Sequence, residues 1–319
     1  MKKKIAVIFG ISGQDGAYLA DFLLKKNYQV IGLTRKKNKK NLYRLKKLKI
    51  INKIKIIKGT AFDKNILKKV IFKTLTEVYF FSGVSDVKES INDPSSTFNI
   101  NFIGVKNVLD RIKHINKNIK FFNASSAQIF GSQKKRLNEE STISPVSPYA
   151  QSKASSFWLV KSYREIYNMK CCSAFSLNHE SPLRSKNFVT KKIIDQAILI
   201  KKNKIKHLSL GKINIYRDWG WAPEFVRAYY LMLQRKKMQD YVVGTGTKKS
   251  IKDFVYKVFK ILKINKNKLR HNDKNFLQEP KSEVRELIGD ISKIKKEIGW
   301  KPTVPFEKII YKMINNEIF

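Results

Sequence analysis

Tyr149 and Lys153 stand four residues apart in the stretch Ser147-Pro148-Tyr149-Ala150-Gln151-Ser152-Lys153, with Pro145 and Pro148 at what reads as a helix entrance. On a helix, positions i and i+4 share a face, so phenol and ammonium lie one turn apart. A lysine ammonium beside a phenol favours the phenolate, which can take a proton from an alcohol near neutral pH. The pair alone is a common coincidence, since most helical tyrosines are simply packed. It gains meaning from two features upstream. Ser126 lies at the end of an apolar run, where its hydroxyl can bond a substrate oxygen, and Gly10-Ile11-Ser12-Gly13-Gln14-Asp15-Gly16 forms a G-x-x-G-x-x-G loop.

These groups need a scaffold, and the apolar pattern supplies one. Ile5 to Phe9 reads as a short buried strand running into the glycine loop, and Leu19, Phe22 and Leu23 mark one face of the helix after it. Strand, glycine turn and helix in that order cradle a diphosphate: glycines let the backbone approach, and the helix N-terminus favours the charge. Further strands read at Gln29 to Leu33, Ile54 to Ile57, Val78 to Phe81 and Ile119 to Phe122, with helix-like segments between them. This alternation is that of an α/β, doubly wound parallel sheet. In such a sheet the end of the second strand meets the adenosine ribose. An acidic residue there suits NAD and an arginine suits a 2′-phosphate. The residues are Thr34-Arg35-Lys36-Lys37, so NADP is expected ahead of NAD.

Composition bounds the alternatives. The chain has 319 residues, 42% of them hydrophobic and 12% aromatic, enough for a core. The start, Met1-Lys2-Lys3-Lys4 before an apolar run, superficially resembles a signal peptide. Gly10 and Gly13 interrupt that run and no small-residue cleavage site follows, so a buried strand is the better reading. No apolar run reaches a membrane span. The only cysteines, Cys171 and Cys172, are adjacent, which argues against a disulfide framework or metal cluster and for a reducing cytoplasm; the four histidines are scattered and suggest no site. The net charge of +41 is spread along the whole chain, with no nucleic-acid motif beside it. Its densest stretch, Arg35 to Lys49, places Leu42, Leu45 and Leu48 on one buried helical face with the lysines toward solvent. A basic surface, with no specific nucleic acid and no membrane partner, is the expectation.

With these motifs in place, the chain resembles an extended short-chain dehydrogenase/reductase, and more narrowly the GDP-mannose 4,6-dehydratase family. Gly10 through Leu19, with glutamine-aspartate between the glycines, is similar to that family's opening signature. Asn178-His179-Glu180-Ser181-Pro182-Leu183-Arg184, Phe188-Val189-Thr190, Leu210-Gly211 and Arg217-Asp218-Trp219-Gly220 resemble its substrate-side motifs. Gly244-Thr245-Gly246 and Gly289-Asp290 through Gly299-Trp300-Lys301-Pro302 resemble its C-terminal pattern, so the likeness is collinear over nearly the whole chain.

The resemblance implies a Rossmann-type NAD(P)-binding domain over residues 1–170 and a smaller C-terminal α/β nucleotide-sugar domain over 171–319, interleaved with the first. It implies C4 oxidation of a GDP-linked sugar, elimination of water and return of the hydride to C6, in a homodimer or homotetramer. Gly10, Gly13, Gln14, Asp15, Gly16, Arg35, Ser82, Tyr149 and Lys153 are expected on the cofactor side. Ser85, Asn178, Arg184, Lys192 and Arg217 are expected on the substrate side, where an arginine fork suits a diphosphate. Ser126, Gln128, Tyr149 and Lys153 are the expected catalytic set. Gln128 departs from the family, which has its catalytic glutamate there, and an amide cannot be a general base. Ser126-Ala127 and Ile129-Phe130-Gly131 resemble instead a pattern of sugar 4-epimerases. Thr60, Phe80-Phe81-Ser82-Gly83, Asp86 and Pro280 to Glu283 also depart from the family pattern. Two reactions stay open: a dehydratase with another carboxylate, such as Asp86 or Glu180, as base, or a C4 dehydrogenase, epimerase or ketoreductase without elimination. A non-catalytic nucleotide- or nucleic-acid-binding protein is a third reading, and the Tyr149/Lys153 pair would have no purpose in it.

Overall fold

In a computed structural model, which describes residues 3–133, 135–271 and 284–319, the chain alternates strand and helix as its apolar pattern requires. Strand β1 (Ile5–Phe9) leads to helix α1 (Gln14–Lys25), then β2 (Gln29–Thr34), the short α2 (Tyr43–Lys47) and β3 (Lys55–Lys58). After α3 (Lys64–Val70) come β4 (Glu77–Phe80), α4 (Val87–Asn92) and α5 (Pro94–Phe98). A π-helical segment, Asn99–Ile103, joins α5 to α6 (Gly104–Ile115), and β5 (Lys120–Ser126) and the long α7 (Pro148–Tyr167) follow. Then come β6 (Cys171–Ser176), β7 (Asn178–Glu180), α8 (Val189–Lys201), β8 (Leu208–Leu210), β9 (Tyr216–Arg217), β10 (Trp219–Trp221), α9 (Ala222–Leu233) and β11 (Tyr241–Val243).

Seven strands form one parallel sheet in the order β11-β6-β5-β4-β1-β2-β3. Strands β6 and β11 lie beyond residue 170, so the sheet draws on both halves of the chain. Strand β1 alternates between faces. Ala6 and Ile8 pack into one core cluster with residues of α1 and α9, while Val7 and Phe9 pack into a second with residues of α6 and α7. A third cluster, around Trp219, Phe254 and Ile309, gathers the C-terminal residues. The sheet order reverses between β1 and β4, and ligands of such sheets bind outside the strand ends at that reversal. The glycine loop leaves β1 there.

Helix α2 carries the densest basic stretch. Leu42, Leu45 and Leu48 are buried, at 6%, 0% and 7% exposure, while Lys46 and Lys49 face solvent. The lysines of this stretch therefore ride on a packed helix. No described helix is long and apolar enough to cross a membrane.

Candidate active site

Conformation at the end of β1 is dictated by glycine. Gly10 has φ +82, and a Cβ there would meet the Phe81 carbonyl carbon and the Ser82 nitrogen at 2.8 Å. A Cβ on Gly16 would come 2.4 Å from the Gly10 oxygen. The loop can fold this tightly only without side chains at both positions. Gly13 caps α1 without a side-chain hydrogen bond, so no side chain takes the amides of the first turn, as a phosphate cradle requires.

The two residues between the glycines tie this loop to the substrate side. The Gln14 amide donates to the His179 carbonyl (3.1 Å) and to Asp15 (3.2 Å), and its oxygen accepts from Ser181 (2.7 Å). The His179 ring sits between the Leu177 carbonyl (2.8 Å) and Asp15 Oδ2 (2.9 Å) and stacks on Phe225. Both ring nitrogens face acceptors, so both bonds form only when both carry a proton. Burial opposes the charge on Asp15, but His179 and Arg184 together hold its carboxyl below the usual range. The expectation that the histidines form no site is therefore corrected for His179. Its partner Asp15 lies 164 residues away along the chain, a separation no local spacing reveals.

Strand β5 and helix α7 build the reactive corner. Ser147 caps α7 by accepting from the Ala150 amide (3.2 Å), with Pro148 in the first turn. Tyr149 and Lys153 are then one turn apart on the buried face, at 9% and 6% exposure. The Lys153 ammonium donates to the Ala124 carbonyl at 2.7 Å, and burial lowers its pKa to about 8. Burial raises the Tyr149 phenol above its ordinary value, against which a hydrogen bond with Ser126 and the charge of Arg184 act. Lys153 is thus fastened to backbone, and Ser126 lines the cleft together with the phenol. Ser126 Oγ also accepts from the Gln128 amide N–H (3.2 Å), turning the chain so that the half-buried Gln128 lines the same cleft.

Asn101 and Arg44 escaped sequence reasoning. Asn101, in the π-helical segment, is buried, accepts from the Val84 amide (3.1 Å) and donates to Ser152 (2.9 Å). A Cβ on Gly83 would lie 2.6 Å from its oxygen and 3.4 Å from the Lys153 ammonium, so Gly83 lets the β4 end close on this corner. Such π-turns are frequent at functional sites. Arg44 of α2 donates to the Ser12 carbonyl (2.9 Å) and the Leu183 carbonyl (2.7 Å), bridging the glycine loop and the Leu183–Arg184 turn. Its signal was hidden in a lysine-rich run.

The cleft holds ≈ 550 Å³. Gly13, Gln14, Asp15, Gly16, Ser85, Ser126, Gln128, Tyr149, Lys153, Asn178, Arg184 and Arg217 all line it. Gly10 lies beneath the loop, Ser82 follows β4 outside the cleft lining, and Arg35 is exposed beyond β2. Lys192 is exposed on α8 and does not line the cleft, which differs from its expected substrate role; α8 turns Ile193 and Ile194 inward at neighbouring positions. Glu180 is also withdrawn. It is 1% exposed, accepts from Thr190 (2.7 Å) and lies 3.3 Å from Arg184 Nε. Arg184 in turn covers the Phe188 ring, and Arg217 donates to the Tyr216 carbonyl at 2.8 Å. Phe81 joins Tyr79, Phe122 and Tyr229 in an aromatic cluster, which accounts for an apolar residue at this strand end. Pro280 to Glu283 lie outside the described residues.

A family model described as GDP-mannose 4,6 dehydratase matches residues 7–313. The chain belongs to the GDP-mannose 4,6-dehydratase family. A GDP-mannose 4,6 dehydratase of Drosophila melanogaster is 36% identical, over 99% of this chain and 87% of its own length. Two solved structures match the fold with a TM-score of 0.86 at 20% identity. One is a dTDP-glucose 4,6-dehydratase from Bacillus anthracis in complex with NAD, covering 98% of this chain and 96% of its own. The other is a UDP-glucuronic acid 4-epimerase from Bacillus cereus with UDP-glucuronic acid and NAD, covering 98% of each. The family thus has the extended short-chain dehydrogenase/reductase fold, which serves elimination and epimerisation alike, and the reaction must be argued from the cleft.

Proposed function

We propose that this protein oxidises C4 of a GDP-linked hexose, GDP-mannose first, and then eliminates water to give a 4-keto-6-deoxy sugar. The observation that carries the reading is the buried Tyr149, with Ser126 in the same wall and Lys153 one turn away, in the cleft that the glycine loop opens. The bare first turn of α1 at Gly13–Gly16 fits a diphosphate, and Tyr149 and Lys153 mark the nicotinamide end. At the adenosine end, β2 closes on buried Thr34, held to Ser12 at 3.0 Å, and offers the exposed Arg35 with no acidic residue beside it, which favours NADP. A bound nicotinamide dinucleotide supplies a hydride acceptor for C4 and the same hydride for C6.

The chain's own residues handle protons and position. Tyr149 takes the C4 hydroxyl proton, Ser126 orients that oxygen, and Lys153 offers a buried positive charge beside the reacting groups. Arg217 and Arg184, which line the same cleft, suit the diphosphate of the sugar nucleotide.

Gln128 favours a second reading, because a neutral amide stands in the wall beside Ser126. On that reading the reaction stops at C4 as oxidation or epimerisation. Incubating the protein with NADP and GDP-mannose and following the sugar by mass spectrometry and NMR separates the two. Loss of one water with the dinucleotide regenerated supports elimination. Loss of two hydrogens with reduced dinucleotide accumulating supports oxidation alone, an unchanged mass with a changed NMR spectrum supports epimerisation, and an unchanged NMR spectrum removes GDP-mannose as substrate.

A further inference from the structure

Elimination of water next to a 4-keto group needs a base at C5, and that carbon is bonded directly to the one Tyr149 serves. The base must therefore share the reactive end of the cleft. Gln128 cannot take a proton. Among the described residues only two carboxylates line the cleft, Asp15 and Asp86. Both Asp15 oxygens are engaged, one by His179 at 2.9 Å and the other by Gln14 at 3.2 Å. Glu180 is sealed from the cleft by Thr190 and Arg184.

Asp86 differs from both. It caps α4 by accepting from the Lys88 amide through Oδ1 at 2.9 Å, and its Oδ2 has no hydrogen-bond or ion-pair partner among the described residues. Two hydrogen bonds tie its backbone to the start of α7. The Asp86 carbonyl accepts from the Ser90 amide (3.1 Å), and Ser90 Oγ accepts from the Tyr149 amide (3.1 Å). Asp86 thus stands one helical turn, roughly 5 Å along the axis, from Ser90, which anchors the start of α7, and its carboxylate lines the same cleft as Tyr149.

We propose that Asp86 is the base of the elimination step, supplying from α4 the carboxylate that position 128 lacks. The assignment rests on the C4-oxidation reading above. Asp86 takes the C5 proton, and the C5–H electron pair forms the double bond to C6 as the C6–O bond breaks. The departing hydroxide takes the proton from Asp86 and leaves as water. Hydride then returns to C6, and the proton that Tyr149 removed from the C4 hydroxyl is relayed to C5 through Asp86, so the same carboxylate serves C5 in both directions. The sum is loss of one water.

The test separates proton abstraction from hydride transfer. Full-length protein is incubated in D₂O with GDP-4-keto-6-deoxymannose, whose C5 hydrogen is acidic without any redox step, and deuterium uptake is read by NMR. The wild type should catalyse exchange. Asp86→Asn keeps an N-capping acceptor for Lys88 and should lose exchange by about 100-fold or more, with an unchanged circular dichroism spectrum. Asp86→Glu should restore part of it. With GDP-mannose, Asp86→Asn should still reduce the dinucleotide and yield the 4-keto sugar without loss of water. Exchange by Asp86→Asn at the wild-type rate overturns the assignment. Wild-type protein that oxidises C4 yet exchanges nothing overturns it too, leaving the C4 reading intact. Failure of both C4 oxidation and exchange overturns the two together.

Discussion

Around Tyr149 the polar side chains hold one another: Asn101 grips Val84 and Ser152, Ser90 grips the Tyr149 amide, and Lys153 is fastened to Ala124. At the end of β2, Thr34 is the last buried residue, and Arg35, Lys36 and Lys37 run into solvent, where the Lys36 carbonyl accepts from Thr34 and Asn41 at 3.3 Å each. The same sheet edge thus carries a preorganised corner and an open, charge-bearing one. Chemistry demands the first, because a proton transfer depends steeply on distance. The second has only to recognise charge, which tolerates long flexible side chains. Substitutions should accordingly act on rate at one end and on cofactor choice at the other.

The largest effect is expected from Tyr149→Phe. The ring still packs, but nothing remains to take the C4 proton. C4 oxidation should fall by about 10²–10⁴-fold, while dinucleotide affinity, measured by fluorescence quenching, changes little. A fall in affinity of comparable size would mean that the corner binds instead of reacting, and the contrast between the two ends would collapse.

Next comes Lys153→Met, which tests whether preorganisation costs stability. In the folded chain the ammonium loses its proton near 8, against 10.5 when unperturbed, because burial disfavours the charge. Between those values the unfolded chain binds more protons, so stability rises with pH across that window. Below pH 8 the buried charge opposes folding in full, by about 3 kcal/mol at roughly 1.4 kcal/mol per unit. Methionine removes that penalty and forfeits the charged hydrogen bond to Ala124, worth ~1.5–3 kcal/mol. Dinucleotide-free Lys153→Met should therefore be inactive yet as stable or up to about 1.5 kcal/mol more stable at pH 7 in urea melts, its advantage shrinking toward pH 10. A less stable variant at pH 7 would show that the hydrogen bond outweighs the desolvation.

The same contrast explains what the sequence discloses. Strands β1 to β5 and the buried face of α2 could be read to within a residue or a few, because burial leaves a strong apolar pattern in Val7, Ile31 and Phe121 or in Leu42, Leu45 and Leu48. The glycine loop and Tyr149/Lys153 were legible because their partners are close in sequence. His179, Asn101 and Arg44 were not. Each acts through contacts made by folding: His179 with Asp15, Asn101 with Ser152 and Arg44 with Leu183. Lys192 shows the converse, since its motif placed it at the substrate while α8 turns it to solvent.

The smallest effect, and the sharpest probe of the open end, is Arg35→Ala. Arg35 is exposed and Thr34 keeps its bond to Ser12 without it, so folding should be unaffected. If its guanidinium meets a 2′-phosphate, affinity for NADP should drop by roughly 5–10-fold, on the order of 1 kcal/mol, with affinity for NAD unchanged. The loss should shrink at high salt, because an exposed charge pair is screened within about 10 Å at 0.1 M. Equal weakening of both dinucleotides would move the 2′-phosphate reading off Arg35. Arg44, which already bridges the Ser12 and Leu183 carbonyls at the glycine loop, would then be the next guanidinium to vary.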